Sequence, residues 1–365
     1  MSKKAIIGIT HGDINGIGYE VIMKTLQDAR ILEMCTPVVY GSPKVAAYHK
    51  KALNMETFNF NTIRAVKEAD SKKANIINCI DDNIRVELGK LSDIAGESSY
   101  MALSAAIKDL KDGLLDALIT APISKDNIQS DKFNFPGHTE FLAQQFDTND
   151  YLMLMVSEIM KIGVVTTHVP VSGIAKLLTK GAIVNKLKIM SASLEQDFCI
   201  KKPRIAVLGL NPHSGDGGLI GNEEIDIIIP AIEEAKELGI LAVGPYPSDG
   251  FFGSGDYARF DAILAMYHDQ GMIPFKLIST GQGVNFTAGL PVVRTSPAHG
   301  TAFDIAGEGK ALPDSLRASL YNALDICKNR AIYKEITKNP LKKYDINPNQ
   351  IDENIDLTKE DEPVL

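Results

Sequence analysis

Short apolar runs recur along this chain, each closed by Gly, Pro or a polar side chain, and stretches of helical period fill the intervals. Ala5–Ile9, Pro37–Tyr40, Asp116–Thr120, Ile162–Thr167, Ile205–Leu210 and Ala262–Tyr267 have the length and composition of buried strands, and another run lies near Ile76–Ile80. The spacing predicts helices over Tyr19–Ala29, Lys44–Leu53, Ser98–Asp112, Ile183–Leu194 and Glu223–Leu238. In Ser98–Asp112, Leu103, Ile107 and Leu110 fall on one face. Pro313 opens a last long helix, roughly Asp314–Thr337. Alternation of strand and helix predicts an α/β fold with a largely parallel sheet. A short strand is expected at Leu290–Arg294, and loops at Ser130–Glu140, Asn211–Asn222 and Ser296–Gly309, where Gly, Pro and small polar residues concentrate.

Three of the predicted strands share a feature. Ile162–Thr167 runs into His168, Ile205–Leu210 into Asn211-Pro212-His213, and Ala262–Tyr267 into His268-Asp269, followed by Gly271 and Pro274 as punctuation and then Lys276. The carboxyl edge of an open α/β sheet is where ligands bind, and three neutral imidazoles with an open fourth position make a catalytic metal site. The spacings match no short zinc-finger signature, so the fold would have to assemble such a site. The alternative for each histidine is a plain loop residue. Asp249 and Asp269 could orient the histidines or serve as caps and turn residues. The turn His11–Gly18 after the first strand could cradle a phosphate at a helix start or be a tight turn only; it lacks both GxGxxG spacing and a P-loop Lys-Ser/Thr. His138-Thr139 in a Pro-Gly loop reads equally as a turn pair or a substrate clamp.

Composition narrows the classes. At 365 residues the chain is long enough for two domains. A net charge of −8 with scattered lysine pairs argues against a nucleic-acid surface. The four cysteines form no CxxC pair, which points to reduced thiols and a cytoplasmic protein. No run has the length of a membrane span.

Taken in order, GDINGIG, APISK, FPGHTEFLA, TTHVP, LGLNPHSGDGG, YHDQGMIPFK and GVNFTAGLPVVRTSPAHGTAFDIAG resemble the 4-hydroxythreonine-4-phosphate dehydrogenases of pyridoxal phosphate biosynthesis, over Ala5 to about Asn339. The resemblance implies an isocitrate/isopropylmalate dehydrogenase-like fold of two α/β/α domains with a cleft between them. Residues 1–128 and 271–340 would form one domain, 129–270 the other, and 341–365 an acidic, frayed tail. It further implies a homodimer with active sites at the interface, acting on a small phosphorylated hydroxy amino acid. By the same resemblance His168, His213 and His268 hold a divalent cation, Zn, Co or Mg, of which Zn and Co suit three nitrogens better. Catalysis would rest on these three with Lys276. His138, Thr139, Lys276, Asn285 and Arg294 would contact substrate; His299, Gly300, Asp304 and Gly307 would hold the adenosine half of NAD, with Asp304 at the ribose. Ile14, Asn15 and Tyr19 stand where the family usually has Pro, Ala and Pro, and Ser124 where it has Asn. A dehydrogenase of phosphorylated four-carbon sugar acids is the near alternative. An acyltransferase of the phosphate acetyltransferase type would need neither the histidines nor NAD, and a phosphometabolite sensor would need no complete ligand set.

Overall fold

A computed structural model describes residues 4–81 and 83–341. Twelve strands form one sheet: β1 Ala5–Thr10, β2 Cys35–Gly41, β3 Asn61–Ile63, β4 Asn75–Asn78, β5 Ala117–Thr120, β6 Leu152–Val156, β7 Lys161–Thr166, β8 Arg204–Leu208, β9 Leu241–Tyr246, β10 Ala262–Tyr267, β11 Val284–Ala288 and β12 Val293–Pro297. Their order is β3-β4-β2-β1-β5-β12-β11-β6-β7-β10-β8-β9. Most pairs are parallel; the exceptions are β11 with β12 and β6, and β6 with β7. The antiparallel pairs lie at the centre, where a first half running to β12 meets a second half beginning at β6, with β11 between them.

The two faces of this sheet are covered unequally, and that positions the site. On one face a single core runs from Ile7, Val39 and Ile119 through Phe286 and Leu154 to Leu264 and Val207. The helices Gly18–Leu26, Lys180–Gln196, Ile229–Glu237 and Asp314–Ile336 lie on it. On the other face the strand residues of opposite parity form two separate cores. Val38, Tyr40 and Leu118 pack under the helix Asp93–Lys111, and Ile162, Val164 and Ile263 under Met272 and Phe275 of the helix His268–Ile278. Between those two cores the central strands carry polar side chains on the same parity, at Thr120, Asn285, Thr287, Arg294 and Ser296. That uncovered strip is the floor of a cleft.

Several expectations shift. His138 does not sit in a loop but opens a helix, His138–Gln145, whose buried Phe141 and Leu142 supply the helical face that the Pro-Gly context hid. Gly271 and Pro274 do not stop the chain after β10. The helix runs through both, because Gly271 lets it lie against Val164 and Ala265 and burial of Met272 and Phe275 offsets the hydrogen bond lost at Pro274. The strand expected at Leu290–Arg294 begins later, at Val293, after a turn at Gly289 (φ +87°), and β11 was not anticipated. Asp28 caps a new helix, Ala29–Met34, dividing the stretch expected as Tyr19–Ala29. The acidic tail lies outside the described residues. Among the described residues no helix is long and apolar enough to cross a membrane.

Candidate functional site

The strip of polar positions opens into a cavity of about 280 Å³. Strands β5, β12, β11 and β6 form its floor through Thr120, Arg294, Asn285 and Met155, and the start of the His138–Gln145 helix forms one wall. His168 and His268 stand at its edge, each delivered just past the end of a strand, β7 or β10, that pair in parallel. Of the residues expected from the sequence, His138, Thr139, His168, His268, Lys276, Asn285, Arg294, His299 and Gly300 all line this one cavity.

Arg294 is its deepest charge, only 2% exposed. Thr120 Oγ1 accepts from Nε (3.1 Å) and Nη2 (2.6 Å), and Thr287 Oγ1 from Nη1 (3.2 Å). No carboxylate bonds to it among the described residues. A guanidinium has five N–H donors, so one on each terminal nitrogen is left for a ligand, the fork that grips a phosphate or carboxylate. Burial lowers its pKa to about 10, the mark of a cation without close neutralisation. His138 is half-buried with its Nε2 enclosed; burial first, then the Arg294 charge, hold its imidazole well below the ordinary range, so it is neutral. His138 Nε2 and Asn285 Oδ1 are buried with no hydrogen-bond partner in the described structure. Buried polar atoms rarely go unsatisfied, so a polar ligand is the expected partner for both.

The histidine pair is set for a different task. His168 Nδ1 donates to Glu140 Oε1 (3.1 Å), and His268 Nδ1 to Asp269 Oδ1 (2.7 Å). A carboxylate on Nδ1 fixes the tautomer and leaves Nε2 as the free lone pair, the state in which an imidazole binds a metal. Burial pushes the Glu140 carboxyl up, but the hydrogen bond from His168, its own backbone N–H and the nearby positive charges bring it below its ordinary value. It is therefore ionised and able to accept. Asp269 fills the orienting role; Asp249 is exposed and makes no such contact.

His213 is not with them. It sits on an exposed left-handed turn, with positive φ from His213 through Gly218. Among the described residues no group of three or more His, Cys, Asp or Glu is gathered closely enough to hold a metal ion. Within one chain the donor set stops at two imidazoles.

The loop after β12 brings His299 and Gly300 into the cavity, and burial lowers the His299 pKa. Further along, Asp304 is exposed on a short turn, Phe303–Ile305, and Gly307 packs against Leu88. This loop rests on the His11–Gly18 turn, where Thr301 O accepts from Ile17 N (3.1 Å). The turn itself is buried. A Cβ on Gly12 (φ +73°) would collide with Pro122 O, and one on Gly18 with His11 O, so these glycines permit close backbone packing and no phosphate cradle. Sequence reasoning missed Glu140, although it follows His138 by two residues in the first turn of the same helix. It also passed over Lys125, which lines the cavity from the short helix Lys125–Ile128.

Comparison with known proteins supplies the rest. The family model described as pyridoxal phosphate biosynthetic protein PdxA matches residues 33–323. The 4-hydroxythreonine-4-phosphate dehydrogenase of Bacteroides thetaiotaomicron is 53% identical over 342 residues, covering 93% of this chain and 94% of that one. A protein of Oceanobacillus iheyensis, provisionally named D-threonate 4-phosphate dehydrogenase, is 37% identical over 334 residues, 90% of this chain and all of that one (100%). The crystal structure of 4-hydroxythreonine-4-phosphate dehydrogenase from Klebsiella pneumoniae superposes with a TM-score of 0.77 at 33% identity, covering 90% of this chain and 99% of that one.

Proposed function

The chain belongs to the pyridoxal phosphate biosynthetic protein PdxA family and is an oxidoreductase, and on that premise we propose that it oxidises 4-phosphohydroxy-L-threonine at the C3 hydroxyl with NAD. The product is 2-amino-3-oxo-4-phosphooxybutanoate, a β-keto acid that loses CO₂ to give 3-amino-2-oxopropyl phosphate. One observation carries the reading: a buried, unneutralised guanidinium and two Nδ1-anchored imidazoles share one small cavity.

Arg294 takes a substrate anion on its two free N–H groups, and His138, kept neutral beside it, offers a further hydrogen bond without adding charge. His168 and His268 would present Nε2 to a divalent metal, Zn or Co by donor type, which would polarise the C3 oxygen and lower its pKa. We assign the third nitrogen to His213 of a second copy, since this chain holds its own His213 away from the pair. That makes the working unit a homodimer. Thr139, Lys276 and Asn285, which line the cavity, contact the substrate's polar groups. Glu140 keeps Oε2 buried and unpartnered, a place where an ammonium on C2 would be favoured. His299, Gly300, Asp304 and Gly307 belong to the NAD-holding loop, and a carboxylate at Asp304 disfavours a 2′-phosphate, hence NAD over NADP. Residues 1–128 with 271–340 would form one side of the cleft and 129–270 the other, except that Phe141 and Leu142 of the His138–Gln145 helix pack with the first side and Met272 and Phe275 with the second. Four free cysteines fit a reducing cytoplasm.

The relative from Oceanobacillus iheyensis favours a second reading, a phosphorylated four-carbon sugar acid with hydroxyl in place of amine at C2. NAD reduction by the purified protein, with each substrate and with or without a chelator, tests both. Turnover of the amino acid that stops with chelator supports the first reading. Turnover of the sugar acid alone selects the second, and reduction with neither removes both.

A further inference from the structure

Beside the main cavity lies another, of about 370 Å³, lined by Val169, Val171, Ile174 and Tyr267. Three residues belong to both: Lys125, His168 and His268. They form the partition between the two chambers. Arg294, His138, Lys276 and Asn285 line only the main one. Lys125 is thus the cation placed with the imidazole pair, while Arg294 is placed with the distal floor.

Its position is built. Ser124 Oγ caps the Lys125–Ile128 helix by accepting from Asp126 N (3.3 Å). Asn127 Nδ2 donates to Asp13 Oδ2 (2.8 Å) and Ser92 O (3.1 Å), tying the helix to the buried His11–Gly18 turn. Gly96 lets the neighbouring helix close onto Asn127 O. On this fixed base Lys125 makes no ion pair among the described residues, though its charge helps hold the Glu140 carboxyl ionised. A lysine in the first turn of a helix also works against the backbone dipoles there. Beyond that help to Glu140, the described residues give this cation no partner.

Resting on the reading above, we propose that Lys125 binds the substrate's carboxylate, and that the phosphate goes to Arg294. Both candidate substrates carry an anion at each end. The oxidised C3 must lie at the imidazole pair, and only C2 separates it from the carboxylate, so that anion falls at the partition. The phosphate dianion, carried beyond C4, reaches the floor, where the desolvated guanidinium and the unpartnered His138 and Asn285 form the fuller donor set.

The test pairs Lys125→Met with the phosphorylated amino alcohol lacking the C1 carboxylate, 1-amino-3-phosphooxypropan-2-ol. Binding of both compounds is followed by titration calorimetry on the metal-loaded protein, and turnover of the full substrate by NAD reduction. For the full substrate, Lys125→Met should weaken binding and raise KM roughly 10- to 100-fold, with Lys125→Arg restoring most of it. Binding of the decarboxy compound should be unchanged by the substitution. Equal weakening for both compounds, or none for either, overturns the assignment. Wild-type turnover reports separately on the proposed reaction. If only the phosphorylated sugar acid is turned over, the same pairing is run with its own decarboxy analogue.

Discussion

Around Arg294 every wall comes from the chain itself. Two threonines hold the guanidinium, a helix closes one side, and the cation is 2% exposed. Around His213 the chain supplies a shape and no walls. Five residues from His213 to Gly217 have left-handed backbone, three of them not glycine, and each such residue costs on the order of 1 kcal/mol. Glu224 keeps the turn in place by accepting from Leu210 N, Asn211 N and Asn211 Nδ2. Beside it Leu219 is 81% exposed, with Ile220 and Ile225 also open. A strained turn held by a buried carboxylate, next to exposed aliphatic side chains, is a surface shaped to be covered. One half of the site is finished by folding; the other, on the reading proposed above, is shaped by folding and would be finished by a second copy.

The largest effects should come from breaking that division at the histidines. His168→Ala, His268→Ala and His213→Ala should each lose most bound metal and reduce turnover to background with the fold intact, measured by elemental analysis and circular dichroism. Normal metal content in any one removes that ligand from the set. Mixing His213→Ala with His138→Ala under subunit exchange then asks which chain supplies what. Random re-pairing gives mixed dimers with one intact and one doubly damaged site, so roughly a quarter of wild-type activity should return. If both positions act within one chain, none returns.

Next comes the finished half. Arg294→Met should raise KM roughly 100-fold or more by removing two charged hydrogen bonds. Its melting temperature should not fall, because a buried cation without a carboxylate partner is a cost to folding. A variant that melts several degrees lower and keeps its KM would make Arg294 a structural residue.

The same division explains what was legible in the sequence. Strands that end in histidine were readable because a fully apolar run such as Ala262–Tyr267 stands out from its neighbours. The cleft floor was harder. In Val284-Asn285-Phe286-Thr287-Ala288 the alternation is there, but Asn and Thr on every second position look like a loop unless the uncovered face is known. The helix through Pro274 depends on what Met272 and Phe275 pack against, which local propensity does not contain. The separation of His213 from His168 and His268 follows from the turn geometry after β8 and could not come from spacing. Family motifs pointed to three histidines; only the fold shows that the described residues of one chain do not gather them.

A smaller effect separates the two orienting carboxylates. Glu140 is 16% exposed at its side chain and Asp269 70%. Glu140→Gln should weaken metal binding roughly 10- to 100-fold, read by competition with a chromophoric chelator. Asp269→Asn should cost less, since water can replace an exposed acceptor. The reverse order would mean that His268, not His168, depends on its partner.

The last prediction concerns the buried base of the finished half. His11 stacks on Tyr19 (5.4 Å between ring centroids, 9° between planes), and Tyr19 on His49 (5.1 Å). Burial lowers both imidazoles to about 4, and His49 Nε2 donates to Ile14 O (2.7 Å) within the turn that supports the loop after β12. In the unfolded chain they take up a proton near 6.5. Between about pH 6.5 and 4 the unfolded state therefore binds more protons, so stability is complete above that window and is lost as pH falls through it. His138 and His299 are shifted in the same direction and add to the loss. Each imidazole shifted to about 4 contributes on the order of 3 kcal/mol, enough to lower the melting temperature by several degrees between pH 7 and pH 5. His49→Asn should flatten that dependence even where it lowers stability at pH 7. A melting temperature that stays level from pH 7 to pH 4.5 would mean that these rings reach solvent, and that this half of the molecule is less closed than its packing implies.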